Sequence, residues 1–198
     1  MALNKTTLQT SLESAFKKDK WADCASAMAT AIDTYIKGGK ITASGTATVV
    51  IISPPSSTPT SYSMVAAGTI STAGTTTLEG SLNIAFQATS WTGVGNQVGT
   101  AISTQLTTST ISITPLTGGY VSPFVGSSTK VTVVTAACIA LLQSTLESSF
   151  STGTDWVIVA AQIATAIDTF TKAAAVTTVD AGTAPPNSWT GTATGTIV

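Results

Sequence analysis

Leu8-Gln-Thr-Ser-Leu12-Glu-Ser-Ala-Phe16, followed at Trp21 by a second apolar series that ends in Thr30-Ala31-Ile32-Asp33-Thr34-Tyr35, decides how the chain is read, because it occurs three times. The second copy carries Leu78, Leu82, Phe86, Trp91, Val98 and Ile102, and the third Leu142, Leu146, Phe150, Trp156, Ile163 and Ile167; Met28 and Ile32 hold the last two places in the first. One residue is inserted before the third Trp, and the triplets Thr30-Ala31-Ile32, Thr100-Ala101-Ile102 and Thr165-Ala166-Ile167 are identical. Self-similarity of this kind marks a repeat architecture, whose single unit buries too little apolar surface to stand alone.

Leu, Leu and Phe at i, i+4 and i+8 line one stripe of a helix, and the apolar positions after each Trp fall again on one helical face. Only four or five residues separate Phe from Trp, so the two helices must be antiparallel neighbours. Each unit is therefore expected to be a helical hairpin, with the Trp residues as core anchors beside the Leu, Phe and Ile positions. The second copy is the weakest, since Gly93, Gly95 and Gly99 sit where its second helix runs. Each glycine inside a helix costs roughly 1 kcal/mol relative to alanine, which predicts a late start or unusually close packing there.

Helices are expected at about Thr6–Lys18, Trp21–Lys37, Thr75–Gln87, Trp91–Leu106, Thr135–Ser151 and Asp155–Ala174. Thr6 or Thr7 is the expected first cap, and Gly38-Gly39 the stop of the second helix. Runs rich in Thr, Val and Ile read as strands at Lys40–Ser53, Tyr62–Ser71, Ser109–Thr114, Val176–Asp180 and Ser188–Val198. Pro54-Pro55 and Pro59 mark a loop, Pro115 closes a strand, and Val131–Val134 fits either a strand or the start of a helix. The fold class that follows is α+β: three tandem helical-hairpin modules, each followed by Thr/Val-rich β-strands. Their expected bounds are 1–73, 74–128 (a degenerate copy plus a linker) and 129–198.

Charged residues make up only 9% of the 198 residues, with mean hydropathy +0.38 and net charge −1. Typical domains carry about 25% charge, so an exterior covered by neighbouring subunits, or one kept soluble by hydroxyls, is implied. The longest apolar runs, Val131–Leu142 and Val157–Ile167, fall short of the roughly 20 residues that span a bilayer. No secretory leader is expected, because Met1–Thr10 lacks an apolar core. All eight basic residues are Lys, six of them in the first module, so the bidentate fork that reads phosphate and guanine is missing and no direct nucleic-acid contact is expected. Cys24 and Cys138 read as buried thiols.

With no His, Ser-His-Asp and Cys-His chemistry is excluded. The nine acids are scattered, and Glu13 and Glu147, or Asp33 and Asp168, recur at corresponding places, which suits a structural task better than a catalytic one. Gly93-Val-Gly95-Asn-Gln-Val-Gly99 has the wrong spacing for a nucleotide loop. No catalytic, metal or cofactor site is expected.

The first module resembles short reading-frame products of tailed bacteriophages: a Leu-x-x-x-Leu-x-x-x-Phe helix, an Ala-rich helix ending in Ala31-Ile32-Asp33-Thr34-Tyr35, then a Gly/Thr-rich β segment at Ile41–Val50. The third module resembles them through Ala166-Ile167-Asp168-Thr169-Phe170, while the second departs at Ser103 and Gln105. The resemblance implies a non-enzymatic virion structural protein, assembled in the host cytoplasm. It would be a capsid decoration or cement protein, or a neck, tail or baseplate component. Its expected partners are major capsid, neck or tail subunits and further copies of itself in an oligomer or lattice, with no membrane contact. Thr/Val strand edges suit intersubunit pairing. The alternative is a receptor- or glycan-binding module using Tyr62, Tyr120, Phe124 or Trp189, the expected partner contacts.

Overall fold

The computed structural model describes residues 3–53, 56–88, 91, 93–117, 129–133, 136–152, 155–184 and 187–198, with the outer parts of the strands described by backbone. Helix α1 (Lys5–Phe16) opens at Asn4, whose side chain accepts from the Thr7 backbone N–H at 3.0 Å. The cap is thus this asparagine rather than Thr6 or Thr7, because its carboxamide reaches an amide of the first turn that has no helical acceptor. Helix α2 (Trp21–Gly38) takes Gly38 into its last turn and stops at Gly39, which is extended rather than left-handed. A Cβ on Gly39 would lie 2.7 Å from Ile197 Cγ2, so close approach of a strand, and not a positive φ, calls for glycine.

Helices α3 (Thr76–Phe86), α4 (Val94–Thr108), α5 (Ala136–Thr152) and α6 (Trp156–Lys172) follow, α3 packing on α4 and α5 on α6. Neighbours in the chain pack on each other, α1 also packs on α6, and the six helices close into a ring. Leu8, Leu12, Leu78, Leu82, Leu142 and Leu146 fill its interior together with Met28, Val98, Ile163 and the three Ile of the repeated triplet, all at most 2% exposed. The triplet has one job per residue. Thr30, Thr100 and Thr165 face solvent and return a hydroxyl to the carbonyl four residues back, at 3.0, 2.8 and 2.8 Å. Ala31, Ala101 and Ala166 are 9, 8 and 8% exposed, and Ile32, Ile102 and Ile167 are wholly buried.

Each helix pair is followed in the chain by two strands: β1 (Lys40–Ser53) and β2 (Ser56–Ser71), β3 (Thr110–Thr117) and β4 (Thr129–Val133), β5 (Ala175–Ala184) and β6 (Asn187–Ile197). They form one antiparallel sheet in the order β3-β2-β1-β6-β5-β4, and the fold class is α+β. The sheet joins the ring where Ile41, Ala43, Ile70, Ala174, Val176 and Ile197 are buried with the helical core. Lys40 and Val198 exchange backbone hydrogen bonds at 2.8 Å there.

Two expectations about proline change. Pro59 lies inside β2 opposite Val50 instead of in a loop, and the β2–β3 ladder begins only at Met64, so its missing N–H costs no bond on that side among the described residues. Pro115 lies inside β3 opposite Ala66 instead of ending the strand. The ambiguous segment at Val131 is strand: Thr129–Val133 pairs with Val179–Ala175. Strand-to-helix conversion follows within the next few residues, at Ala136. Pro54, Pro55 and most of the expected linker, residues 118–128, lie outside the described residues.

Candidate docking surfaces

The end of the ring away from the sheet is closed by six aromatic side chains. Phe16 stacks on Trp156 at 4.9 Å, Trp91 stacks on Phe150 at 5.8 Å, and Trp21 lies tilted on Phe86 at 5.7 Å. Each contact joins one helix pair to another, and Phe16 with Trp156 joins the first pair to the last. The three Trp rings also meet one another edge-on, at 5.4, 6.2 and 6.2 Å. Aromatic pairs in these geometries contribute roughly 0.5–1.5 kcal/mol each beyond their burial.

The Leu, Phe and Ile anchors read from the sequence are buried, but the Trp residues are not interior anchors. Trp21 is 40% and Trp156 39% exposed, and Trp91 is half-buried. They begin or precede the second helix of each pair at the end of the ring away from the sheet, so an indole can cover its neighbours and still present part of its surface to water. The late start predicted for the second copy is observed: α4 begins at Val94, three residues after Trp91, with Gly93 at φ +87°. So is the close packing. A Cβ on Gly95 would fall 2.0 Å from the Glu147 backbone nitrogen. The Glu147 carboxylate, in turn, accepts from the Gly93 and Gly95 N–H groups at 2.7 and 2.9 Å, a carboxylate at the positive end of α4.

Polar contacts between helix pairs are built at the other ends of α2, α4 and α6. The Tyr35 hydroxyl donates to Asp168 Oδ1 at 2.5 Å, and Lys172 approaches the same carboxylate at 2.9 Å. Asp33, 5% exposed, accepts from Lys37 Nζ at 2.6 Å, from Gln105 Nε2 at 3.1 Å and from the Thr72 hydroxyl. Burial, and then the hydrogen bond and charge of Asp168, push the Tyr35 hydroxyl far above the usual tyrosine range. For Asp168, burial pushes upward, yet the hydrogen bonds of Tyr35 and Lys172 and the charges of Lys172 and Lys5 outweigh it and hold the carboxyl below its ordinary value. Of the recurrent acids, Glu147, Asp33 and Asp168 thus accept hydrogen bonds across helix pairs, whereas Glu13 accepts from Gln9 at 2.9 Å within α1; the non-recurrent Asp155 caps α6 by accepting from the Val157 N–H at 2.9 Å.

Among the described residues, the outward sides of the helix pairs carry hollows of different chemistry. On the first pair a hollow of about 1250 Å³ includes Lys5, Lys18 and Asp23. On the second, one of about 560 Å³ includes Ser81, Asn96 and Thr104 together with the exposed Ile84. The third, about 590 Å³ between α5 and α6, is lined by Leu141, Val157, Ile158, Ala161 and Thr165, with no charged side chain among its described lining. Leu141, Val157 and Ile158 are 59, 46 and 54% exposed. Sequence reading by periodicity passed over these three, although their counterparts in the earlier copies (Thr7 and Thr77, Ala22 and Thr92, Asp23 and Gly93) are small or polar.

Of the expected partner contacts, Tyr62 lies in β2 opposite Ala47, and Trp189 in β6 opposite Val49 and Gly182; their side chains are outside what is described. Tyr120 and Phe124 lie outside the described residues. Cys24 is buried, which pushes its thiol up to about 11, while Cys138 is half-buried rather than buried. Among the described residues no three His, Cys, Asp or Glu converge as metal ligands, and no helix is long and apolar enough to cross a membrane. No protein-family model matches the chain, and comparison with curated proteins and with solved structures finds no significant similarity.

Proposed function

We propose that this chain is a non-enzymatic structural protein of a bacteriophage particle, made of three tandem copies of one helix-pair-and-two-strand unit, that works by burying surface against neighbouring subunits. The observation that carries the reading is the aromatic closure. The same Trp-to-Phe contact joins unit one to two, two to three and three to one, so a single chain presents one face with three near-equivalent positions. A sparsely charged body of this kind suits a docking piece, and the particle would supply neighbours for the apolar surface that the chain leaves exposed. Capsid decoration or cement and a neck, tail or baseplate position are the two placements that fit.

The edges of Trp21 and Trp156 favour a second reading, glycan stacking. It is the weaker one, because Trp156 already stacks on Phe16 and both rings meet other indoles edge-on, so contacts within the cluster compete with a sugar ring for the same indoles. Co-sedimentation of labelled protein with purified particles separates the two. Saturable binding to particles, without inhibition by sugars, supports the structural role. Binding to host cells or glycans alone supports the second.

A further inference from the structure

We infer that the outward face of the third helix pair, the hollow between α5 and α6 with the exposed Leu141 at its side, is an interface for a second copy of this chain. The inference stands apart from the particle assignment and needs only the purified protein.

The first support is an internal control. Three helix pairs with the same buried stripes stand side by side, so whatever the fold requires of an outward position should hold for all of them. At the place of Leu141 the other two pairs carry Thr7 and Thr77, both exposed, and at the place of Ile158 the first pair carries the exposed Asp23. The fold is satisfied by polar residues there. Three apolar residues grouped at these places on the third pair, at 59, 46 and 54% exposure, therefore answer to something that covers them, whereas the second pair exposes the single Ile84 among its described residues.

The second support is the nature of the face. It holds both halves of a fit: Leu141, lining the hollow yet 59% exposed, and a hollow of about 590 Å³ with the short side chains of Ala161, Thr165 and Ala166 in its lining. A twofold contact sets the same patch against itself, so knob and hollow must lie on one surface, as they do here. The absence of charge from the described lining removes the like-charge repulsion that self-apposition would otherwise incur, and gives a foreign partner no charge to recognise. Both α5 and α6 are 17 residues long. At ~1.5 Å per residue and ~10 Å between axes, two such helices present a face on the order of 500 Å² per copy. Twice that area sits near the ~1,000 Å² threshold for a specific interface, so the dimer is concentration-dependent rather than obligate.

Sedimentation velocity on the full chain from low micromolar to near-millimolar concentration is the test. Wild type should pass from monomer to dimer. The variant Leu141→Thr/Ile158→Asp, which places at these positions the residues of the first pair, should raise the dissociation constant at least tenfold. The variant Ile84→Thr, which removes a 70% exposed isoleucine from the second pair, should leave it unchanged. As a readout that leaves the apolar rim intact, Ala161→Cys in a Cys138→Ala background should form a disulfide-linked dimer on mild oxidation. A wild type that stays monomeric throughout, a dimer indifferent to Leu141→Thr/Ile158→Asp, or equal loss with Ile84→Thr would each overturn the inference.

Discussion

The Tyr35 hydroxyl donates to Asp168 Oδ1 across 133 residues of chain, fixing the end of α2 to the end of α6. Gln105 donates to Asp33 in the same relation between the second and first helix pairs. In sequence the third such couple is Phe170 with Ser103: where the carboxylate is replaced by serine, the donor is replaced by phenylalanine. Both are buried. Donor and acceptor thus change together, as expected when a carboxylate left without its donor costs more than losing both groups.

A double-mutant cycle on Tyr35→Phe and Asp168→Ser measures that coupling. Hydrogen bonds to charged groups contribute about 1.5–3 kcal/mol, so each single variant should lose about 1–2 kcal/mol in urea denaturation, allowing for partial exposure at Asp168. The double variant, which recreates the Phe170/Ser103 couple, should lose clearly less than the sum. Additive losses would contradict the pairing.

Stability should be flat near neutrality and fall on both sides. Asp168 has a lowered folded value, so its contribution is present above the ordinary carboxylate range, about 3.9, and is lost as pH falls below that. Cys24, raised to about 11, and Tyr35, raised further, contribute below their unfolded values and lose that contribution as pH rises through the alkaline range. Urea midpoints against pH should show the wild-type advantage over Tyr35→Phe shrinking above about pH 10, and Cys24→Ala should flatten the decline between about pH 9 and 11.

Gly95→Ala should destabilise by about 2 kcal/mol or more, even though alanine gains up to ~1 kcal/mol of helix propensity. The added methyl would meet the α5 backbone at Glu147, which cannot move aside without shifting the helix. Gly99→Ala meets chiefly the movable Gln143 side chain, at 2.7 Å, and should cost less. Equal effects at the two sites, read by thermal and urea unfolding, would argue against the close α4–α5 packing.

Thr171→Val should stabilise by about 1 kcal/mol, because it removes a buried hydroxyl that has no hydrogen-bond partner among the described residues and keeps the side chain's shape. The same place in the other two helix pairs is held by Ile36 and Leu106, which are buried without a polar atom.

The helices and the buried stripes were legible in the sequence because a period of four and a repeated Leu-Leu-Phe report directly on burial. What escaped that reading depends on distance rather than on period. Nothing local tells that Trp21 and Trp156 meet each other instead of an interior, that Tyr35 reaches Asp168, or that Asn4, just ahead of the threonines, caps α1. The extent of β2 past Pro59 depends on which flank of the strand is paired. The apolar hollow at Leu141, Val157 and Ile158 lay within reach of the sequence, by comparing the three copies at outward positions, but periodicity alone looks only at the inward ones.

Quantitative mass spectrometry of purified phage particles from the source lysate, scaled to the major shell protein, tests the central claim most directly. A reproducible copy number is predicted: hundreds per particle for a decoration or cement protein, a few to a few dozen for a neck, tail or baseplate component. Absence of the chain from particles that contain their full shell and tail complement would contradict the structural role.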